Sequence, residues 1–334
     1  MKNLDNLKNS ILTFGEEIYL QENLIKRIKK KYVKDESMNF FKIDNLEENI
    51  DELTNFFNTV SFSTDKKVAV VDDCTFLTSK GKLSDKNTDK IIDLIKDRFQ
   101  EDMIIFKGGN LKIDKRKKLY KSLKKKGELI EFNKLNEKEL INWITRYLDY
   151  HDKSINYTNG RRISQYTGYF EYESSKNLYD VKNELDKIIA YTDERDNIKE
   201  DDIEKVMSIS IDNNIFKFID NVFEGKTNIA YEMLNDMISN NISPHYIFYM
   251  IVRQIRMLNQ LSAYKGKNFR EDYILKKMKL RSFMYKKLNY QYNQLGSSKI
   301  EDLALKSQEI ERKSKTGNLD IVLGINILIS KANK

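Results

Sequence analysis

Apolar residues in the first 136 positions occur in short unbroken runs separated by segments with helical spacing. An unbroken run such as Val68–Val71 is typical of a strand buried on both faces of a sheet. Elsewhere Ile50, Leu53 and Phe57 recur at three- and four-residue intervals, which is typical of an amphipathic helix. The predicted strands are 11–14, 39–43, 68–71, 103–106 and 128–132, and the predicted helices are 17–31, 47–58, 89–99 and 116–125. This alternation predicts a parallel sheet with right-handed crossovers.

No strand pattern follows residue 132, and the rest of the chain has helical periodicity. Ser243 and Pro244 mark one helix start, because serine is a good N-cap and proline suits the first helical position. The predicted helices are 137–150, 174–192, 199–207, 215–223, 244–261, 271–278, 282–295, 299–315 and 320–331. We therefore predict an α/β plus all-α fold. Its parts are an AAA+-like parallel-sheet domain over residues 1–136, a small helical lid domain over 137–210 and a C-terminal helical domain over 211–334.

Composition excludes several classes of site. The 334 residues carry 59 Lys and Arg against 51 Asp and Glu, and the net charge of +8 permits contact with nucleic acid without demonstrating it. With one cysteine, Cys74, and the histidines His151 and His245, we expect no zinc cluster and no Ser/His/Asp or Cys/His catalytic set. The N-terminus lacks the apolar core of a signal peptide, and no run approaches the ~20 apolar residues that cross a bilayer. We therefore expect a cytoplasmic protein with no catalytic residue, metal, cofactor or membrane contact.

The first predicted strand leads into a loop that lacks the residues of a phosphate-binding loop. The pattern G-x-x-x-x-G-K-[ST] holds phosphates with backbone amides and a lysine. This loop has Gly15 alone, no Lys-Ser/Thr pair, and the carboxylates of Glu16 and Glu17, which would repel a nucleotide. Asp72 and Asp73 end a buried strand, as the magnesium-binding acid of a P-loop ATPase would. Without the phosphate loop, we interpret them as a polar strand end.

Six short segments resemble, in the same order, the delta subunit of the bacterial DNA polymerase III clamp loader. They are LTFGEEIYL (12–20), Phe62 with KVAVV (67–71), NELDK (183–187), NIFKFIDNVF (214–223), RQIR (253–256) and KTG (315–317). The resemblance implies an AAA+-like protein without ATPase activity that binds the beta sliding clamp and holds one of its interfaces open. It also implies that gamma/tau subunits handle ATP, that a delta-prime subunit completes the loader, and that residues 211–334 form a collar. The expected partners are therefore the beta clamp, the gamma/tau and delta-prime subunits, and primer–template DNA within the complex.

The resemblance assigns the clamp contact to the turn after the helix that is predicted to end near residue 58. Phe62 lies in this polar turn, and an exposed aromatic anchor suits a pocket on a partner protein. The family usually carries a bulky apolar residue where Ser61 stands, so the contact area is reduced, and Val60 or Thr59 is the candidate for compensation. The alternative is that Phe62 packs onto the protein's own core.

Two groups of cations are candidate contacts with DNA or a partner. They are Lys115, Arg116, Lys117 and Lys118, and Arg253 and Arg256. The first group begins a lysine-rich helix that could contact phosphates, although such a run is more often a solvated face. The two arginines lie on an otherwise apolar helix. Two explanations for their presence are equally good: they contact another subunit or DNA, or they pair with nearby acids of the same chain.

Three other functions stay open. An active P-loop ATPase would need the missing G-K-[ST] pattern and would bind nucleotide. A delta-prime-like subunit usually carries zinc-binding cysteines and a Ser-Arg-Cys motif, whereas here the single cysteine, Cys74, follows Asp73. A stand-alone basic DNA-binding protein would bind DNA strongly, without partners and in a salt-sensitive way.

Overall fold

Five strands in the N-terminal part form one parallel sheet in the computed structural model of the chain. They are β1 (Ser10–Phe14), β2 (Phe40–Ile43), β3 (Val68–Val71), β4 (Met103–Lys107) and β5 (Glu128–Glu131). The spatial order is β2-β3-β4-β1-β5, and every neighbouring pair is parallel. The predicted parallel sheet is confirmed. Because the strands are parallel, their carboxyl ends meet at one edge, called the carboxyl edge below, where ligands of open α/β sheets usually bind.

The structure describes residues 4–59, 66–97, 102–170, 175–207, 211–280 and 282–333. The chain divides into two units. The α/β unit comprises Met1–Asn136 and Asn177–Asp180, and the helical unit comprises Glu137–Lys176 and Val181–Lys334. The separation of a lid from a collar inside the helical unit stays a prediction.

Helices cover both faces of the sheet. The helices of the α/β unit are α1 (Ile18–Tyr32), α2 (Glu36–Asn39), α3 (Leu46–Asn58), α4 (Asp85–Asp97) and α5 (Lys118–Lys126). Leu12 and Phe106 lie in a core shared with α3, α4 and α5, whereas Ile11 and Ile105 lie in a second core shared with α1. Successive residues of a strand point to opposite faces. This is why the strands appear in the sequence as unbroken apolar runs.

In its described part, the second unit is built from helices, with an isolated β-bridge between Ser154 and Asn197. Its helices are α6 (Glu137–Tyr150), α7 (Tyr157–Tyr166), α8 (Leu178–Thr192), α9 (Glu200–Met207), α10 (Ile211–Phe223), α11 (Thr227–Ser239), α12 (Pro244–Gly266), α13 (Glu271–Met278), α14 (Ser282–Lys315) and α15 (Ile321–Asn333). The first turn of α8 belongs to the α/β unit. Gly296 (φ 76°, ψ 161°) interrupts α14, so the predicted helices 282–295 and 299–315 are its two arms. The α/β plus all-α fold class is confirmed.

Helix α7 was not predicted as a separate element. Its segment carries a single large aliphatic residue, Ile163, so its apolar periodicity is weak. The helix start is fixed by Asn156, whose side chain accepts a hydrogen bond from the N–H of Asn159 at 2.8 Å. Asparagine is a favoured N-cap, so the cap rather than the apolar pattern was the available signal.

Among the described helices, none is both long and apolar enough to cross a membrane.

Candidate functional site

The loop after β1 is held in a conformation that requires glycine. Gly15 has φ +119°, which residues with a side chain rarely adopt. A Cβ added there would lie 2.5 Å from the carbonyl oxygen of Phe132. The close approach of two backbone segments therefore explains this glycine without a phosphate.

Several polar groups of this loop are bonded within the protein. The N–H of Gly15 donates to the carbonyl oxygen of Gly109, and the N–H of Glu17 donates to that of Phe132, both at 2.9 Å. The buried amide of Gln21 donates to the carbonyl oxygens of Gly15 (3.0 Å) and Gly109 (3.2 Å) and accepts from the N–H of Gly109 (3.1 Å). A phosphate-binding loop points its N–H groups at the anion. Here the bonds of Gly15 and Glu17 join the loop to neighbouring strand ends instead.

Glu17 is fully buried although it is an acid. Its Oε2 atom accepts a hydrogen bond of 3.0 Å from the N–H of Leu178, the first residue of α8. The first N–H groups of a helix lack partners within the helix and form the positive end of its dipole. Glu17 therefore caps the first turn of α8, and its carboxylate is used inside the α/β unit.

A row of charged side chains crosses the carboxyl edge. Lys107, at the end of β4, lies between Asp72 (Nζ–Oδ1 2.8 Å) and Glu22 (Nζ–Oε1 2.9 Å). Asp72 also pairs with Lys42 of β2 (Nζ–Oδ2 2.5 Å), and Glu22 accepts a hydrogen bond from the hydroxyl of Tyr179. Because β2, β3 and β4 are neighbours in the sheet, Lys42, Asp72 and Lys107 meet at this edge, and α1 and α8 contribute Glu22 and Tyr179. We call these five residues the edge network.

Hydrogen bonding fixes the charges of the edge network. Burial opposes ionisation of Asp72, but hydrogen bonds from Lys107 and Lys42 outweigh it and lower the pKa of that carboxyl. Burial likewise opposes ionisation of Glu22, and hydrogen bonds from Tyr179 and Lys107 lower its pKa. Burial and the bond to Glu22 raise the pKa of Tyr179 to about 12. At neutral pH the carboxylates are therefore ionised and the Tyr179 hydroxyl keeps its proton.

Both acids that follow β3 have partners within the protein. Asp72 belongs to the edge network, and Oδ1 of Asp73 accepts a hydrogen bond of 2.9 Å from the N–H of Thr75. Cys74 is buried, and burial raises the pKa of its thiol. In the described ranges, no group of three or more His, Cys, Asp and Glu side chains could hold a metal ion. This geometry favours the interpretation of Asp72 and Asp73 as a polar strand end.

The connection between α3 and β3 carries the predicted clamp contact. Thr59 is exposed at the C-cap of α3, where its N–H and Oγ1 donate to the carbonyl oxygen of Asn55 at 3.0 and 2.8 Å. Val60, Ser61 and Phe62 lie outside the described residues. Their assignment to the clamp contact stays a prediction.

Three of the four predicted cations at the start of α5 have partners within the protein. Arg116 donates two hydrogen bonds to the carboxylate two residues before it (2.9 and 2.8 Å), Lys117 donates to a backbone carbonyl oxygen (2.7 Å), and Lys118 pairs with an aspartate of α4. Lys115 is exposed and has no partner in the described part. Further exposed lysines that lack a partner there are Lys121, Lys124, Lys125 and Lys126. The exposed lysines without a partner in the described part therefore extend from Lys115 along α5, and their contact with DNA or a partner stays a prediction.

The two arginines of α12 face different surfaces of the helical unit. Arg253 is half-buried and lines a small cavity with Asp220 and Gln254. Arg256 is exposed and lines a separate groove with Glu311. The structure does not bring the two arginines together into one site.

Sequence analysis did not single out Gln21, Glu22, Lys107 or Tyr179. Lys107 ends an unbroken apolar run, as Asp72 follows one, and polar residues at the ends of neighbouring parallel strands are the signal that could have found it. No comparable signal exists for the hydrogen bond between Glu22 and Tyr179, because 157 positions separate them in the chain.

A parallel-sheet unit whose first loop bonds to its own protein, followed by a helical unit, defines an α/β plus all-α protein without a phosphate loop. The family model described as DNA polymerase III, delta subunit, matches residues 12–133, and the model for the C-terminal domain of that subunit matches residues 212–332. Together the two models cover more than two thirds of the chain. The chain belongs to the DNA polymerase III delta-subunit family.

Individual relatives are similar over nearly the whole chain. DNA polymerase III subunit delta of Bacillus subtilis (strain 168) is 23% identical over 329 residues, which cover 96% of this chain and 93% of that protein. A probable DNA polymerase III subunit delta of Aquifex aeolicus (strain VF5) is 23% identical over 308 residues, which cover 90% of this chain and 84% of that protein. The solved structure of the Bacillus subtilis DNA clamp loader delta protein has a TM-score of 0.68 at 21% identity, covering 98% of this chain and 96% of that one. This last likeness shows the fold.

Proposed function

We propose that this chain is the clamp-loader subunit that binds the beta sliding clamp and holds its ring open for loading onto primed DNA. The observation that carries the proposal is the match to the delta-subunit family in both the N-terminal and the C-terminal parts of the chain. The proposal assigns the clamp contact to Phe62 with Val60, Ser61 and Thr59.

The proposed mechanism is mechanical. Phe62 enters an apolar pocket of the clamp as an aromatic anchor, and Thr59, exposed at the end of α3, lies at the rim of the contact. Ser61 adds little apolar area, so the binding free energy depends mainly on Phe62. The bound state keeps one interface of the clamp ring open.

The proposal gives the chain no catalytic step. The N–H groups of Gly15 and Glu17 bond to backbone carbonyl oxygens, and the carboxylate of Glu17 caps a helix, which supports a loop that binds no nucleotide. ATP is instead bound and hydrolysed by the gamma/tau subunits, and the delta-prime subunit completes the assembly. The chain acts as a non-catalytic subunit of the cytoplasmic polymerase complex.

We propose that primer–template DNA lies against this subunit within the complex. Lys115 and the exposed lysines farther along α5 would contact backbone phosphates, which carry no sequence information. Arg253 and Arg256 are proposed as collar contacts with DNA or with a neighbouring subunit.

Calorimetric titration with the beta clamp of the same organism tests the proposal. The wild-type chain is expected to bind, and Phe62→Ala is expected to weaken binding by ~2 kcal/mol or more, about 30-fold. Tyr150→Ala is the matched control, because it removes a ring that is 83% exposed in the helical unit, and it should leave the affinity unchanged. No binding by the wild type would overturn the function, whereas an unchanged affinity of Phe62→Ala would overturn the site.

A further inference from the structure

A buried lysine lies at the junction of α3 and β3. Lys67 is 4% exposed and directly precedes β3. Its ammonium donates to the carbonyl oxygens of Phe56 (2.6 Å) and Thr59, and it lies 5.3 Å from the centre of the Phe56 ring. No carboxylate pairs with this ammonium in the part of the chain that the structure describes. In the described part, the ammonium is therefore bonded to the end of a helix.

The end of a helix suits a cation for two reasons. The last four carbonyl groups of a helix have no partner within it, and they form the negative end of the helix dipole. A buried ammonium costs free energy unless it is hydrogen-bonded. The Lys67 ammonium gives carbonyl groups at the end of α3 a hydrogen-bond donor, and these bonds offset the cost of burying it. The strand alone would favour a β-branched residue at this position.

The backbone of Lys67 is hydrogen-bonded to residues at the start of β4. The N–H of Lys67 donates to Oδ1 of Asp102 (2.9 Å), and its carbonyl oxygen accepts from the N–H of Met103 (2.8 Å), the first residue of β4. The backbone of Lys67 is thus held at the sheet while its side chain reaches α3. A direct hydrogen bond joins Lys67 to Thr59, eight positions earlier.

We propose that Lys67 is a positioning residue for clamp binding, because it ties the end of α3 to the start of β3. The inference rests on the proposed function, since Phe62 belongs to the residues between these two anchored ends. Holding the ends of a connection in place lowers the conformational entropy that binding must remove. Lys67 therefore raises clamp affinity without touching the clamp.

Three variants separate this role from other effects of a lysine. Lys67→Met keeps the long apolar stem and removes the ammonium, and Lys67→Arg restores a cationic donor. Lys66→Met removes the adjacent charge, whose ammonium lies 5.3 Å from the ring of Tyr32. Each variant is titrated calorimetrically with the beta clamp at a temperature where circular dichroism shows it folded. The Lys67→Met titration is repeated in the Phe62→Ala background. If Lys67→Met does not fold, Lys67→Gln, whose amide still donates a hydrogen bond, takes its place.

Lys67→Met is expected to weaken clamp binding about tenfold, Lys67→Arg to restore most of the affinity, and Lys66→Met to change nothing. In the Phe62→Ala background, Lys67→Met should have little further effect, because two residues that act through one contact are not additive. Lowered thermal stability with unchanged clamp affinity would overturn the inference, as would an equal loss in both backgrounds. A wild-type chain that fails to bind the clamp would overturn the proposed function as well, whereas wild-type binding that is insensitive to Lys67 would overturn this inference alone.

Discussion

The loop after β1 and the connection between α3 and β3 both bond polar groups within the α/β unit, but they do so with different groups. In the loop, the N–H groups of Gly15 and Glu17 and the carboxylate of Glu17 bond inside the α/β unit. At the connection, a single buried lysine, Lys67, holds the end of α3, and Thr59 is exposed beside it. The comparison teaches that a parallel-sheet fold does not by itself place a ligand at the carboxyl edge. What matters is which polar groups are already bonded within the protein.

The largest expected effect tests the close packing of the loop after β1. Gly15→Ala should lower the free energy of unfolding by about 3–4 kcal/mol, because its φ of +119° strains the new residue and its Cβ would lie 2.5 Å from the carbonyl oxygen of Phe132. Gly109→Ala is the control, since φ is +53° there but no atom lies within 4 Å of the added Cβ, and it should cost about 1–2 kcal/mol. Urea denaturation measures both, and equal losses would contradict the steric explanation.

The next effect concerns the cap on the first turn of α8. Glu17→Ala should lower the free energy of unfolding by about 2 kcal/mol, because it removes a buried carboxylate that accepts a hydrogen bond from the N–H of Leu178. Glu16→Ala removes the neighbouring exposed carboxylate and should change stability by less than about 0.5 kcal/mol. Thermal and chemical denaturation of the pair provide the measurement. If both substitutions had the same small effect, Glu17 would not be a cap.

The edge network predicts a dependence of stability on pH. Folding lowers the pKa of Asp72 and Glu22 from their usual values of 3.8 and 4.5, so in acid the unfolded chain binds more protons than the folded chain. The stability that these carboxylates contribute is therefore complete above those values and is lost as the pH falls through the folded-state values.

Asp72→Asn sharpens this prediction. At pH 7 the variant should be less stable by about 1–2 kcal/mol, because Lys107 and Lys42 lose a charged partner that is partly buried. Between pH 7 and pH 3 the variant should lose less stability than the wild type, since it lacks one of the titrating carboxylates. Urea denaturation at both pH values measures the difference, and parallel losses would show that Asp72 is not coupled to folding.

The smallest effect on stability is expected for the exposed lysines of α5. Lys121→Gln and Lys124→Gln should each change the free energy of unfolding by less than about 0.5 kcal/mol, because neither ammonium has a partner in the described part of the chain. In the assembled loader, each substitution should reduce the slope of log DNA affinity against log salt by about 1 if the lysine contacts a phosphate. Lys117→Gln is the control, since the ammonium of Lys117 already bonds to a carbonyl oxygen. Unchanged slopes for Lys121→Gln and Lys124→Gln would remove α5 from the DNA contact.

The strands and most helices could be predicted because burial leaves a periodic pattern in the sequence. Val68–Val71 and Glu137–Tyr150 were predicted with the bounds that the structure gives. Helix α7 was missed because Ile163 is the one large aliphatic residue in it, and a side-chain cap rather than an apolar stripe marks its start.

The chemistry of the carboxyl edge was only partly predictable. The missing phosphate-loop residues are visible in the sequence, and Glu17 was interpreted there as a charge that would repel a nucleotide. Its role as a cap on Leu178 depends on a contact across 161 positions. The partners of Glu22 in the edge network are 85 and 157 positions away, at Lys107 and Tyr179. Pairings of this kind are set by strand order and helix placement, which local sequence patterns do not contain.

The proposal that this chain binds the clamp without binding a nucleotide is tested most directly by one calorimetric titration. The isolated wild-type chain is titrated with the beta clamp in the presence and in the absence of Mg²⁺-ATP. We predict binding with the same dissociation constant in both conditions, because the N–H groups of Gly15 and Glu17 are already bonded within the protein. If ATP changed the clamp affinity of the isolated chain, the chain would still bind a nucleotide. This result would contradict the proposal that only other subunits of the loader bind ATP.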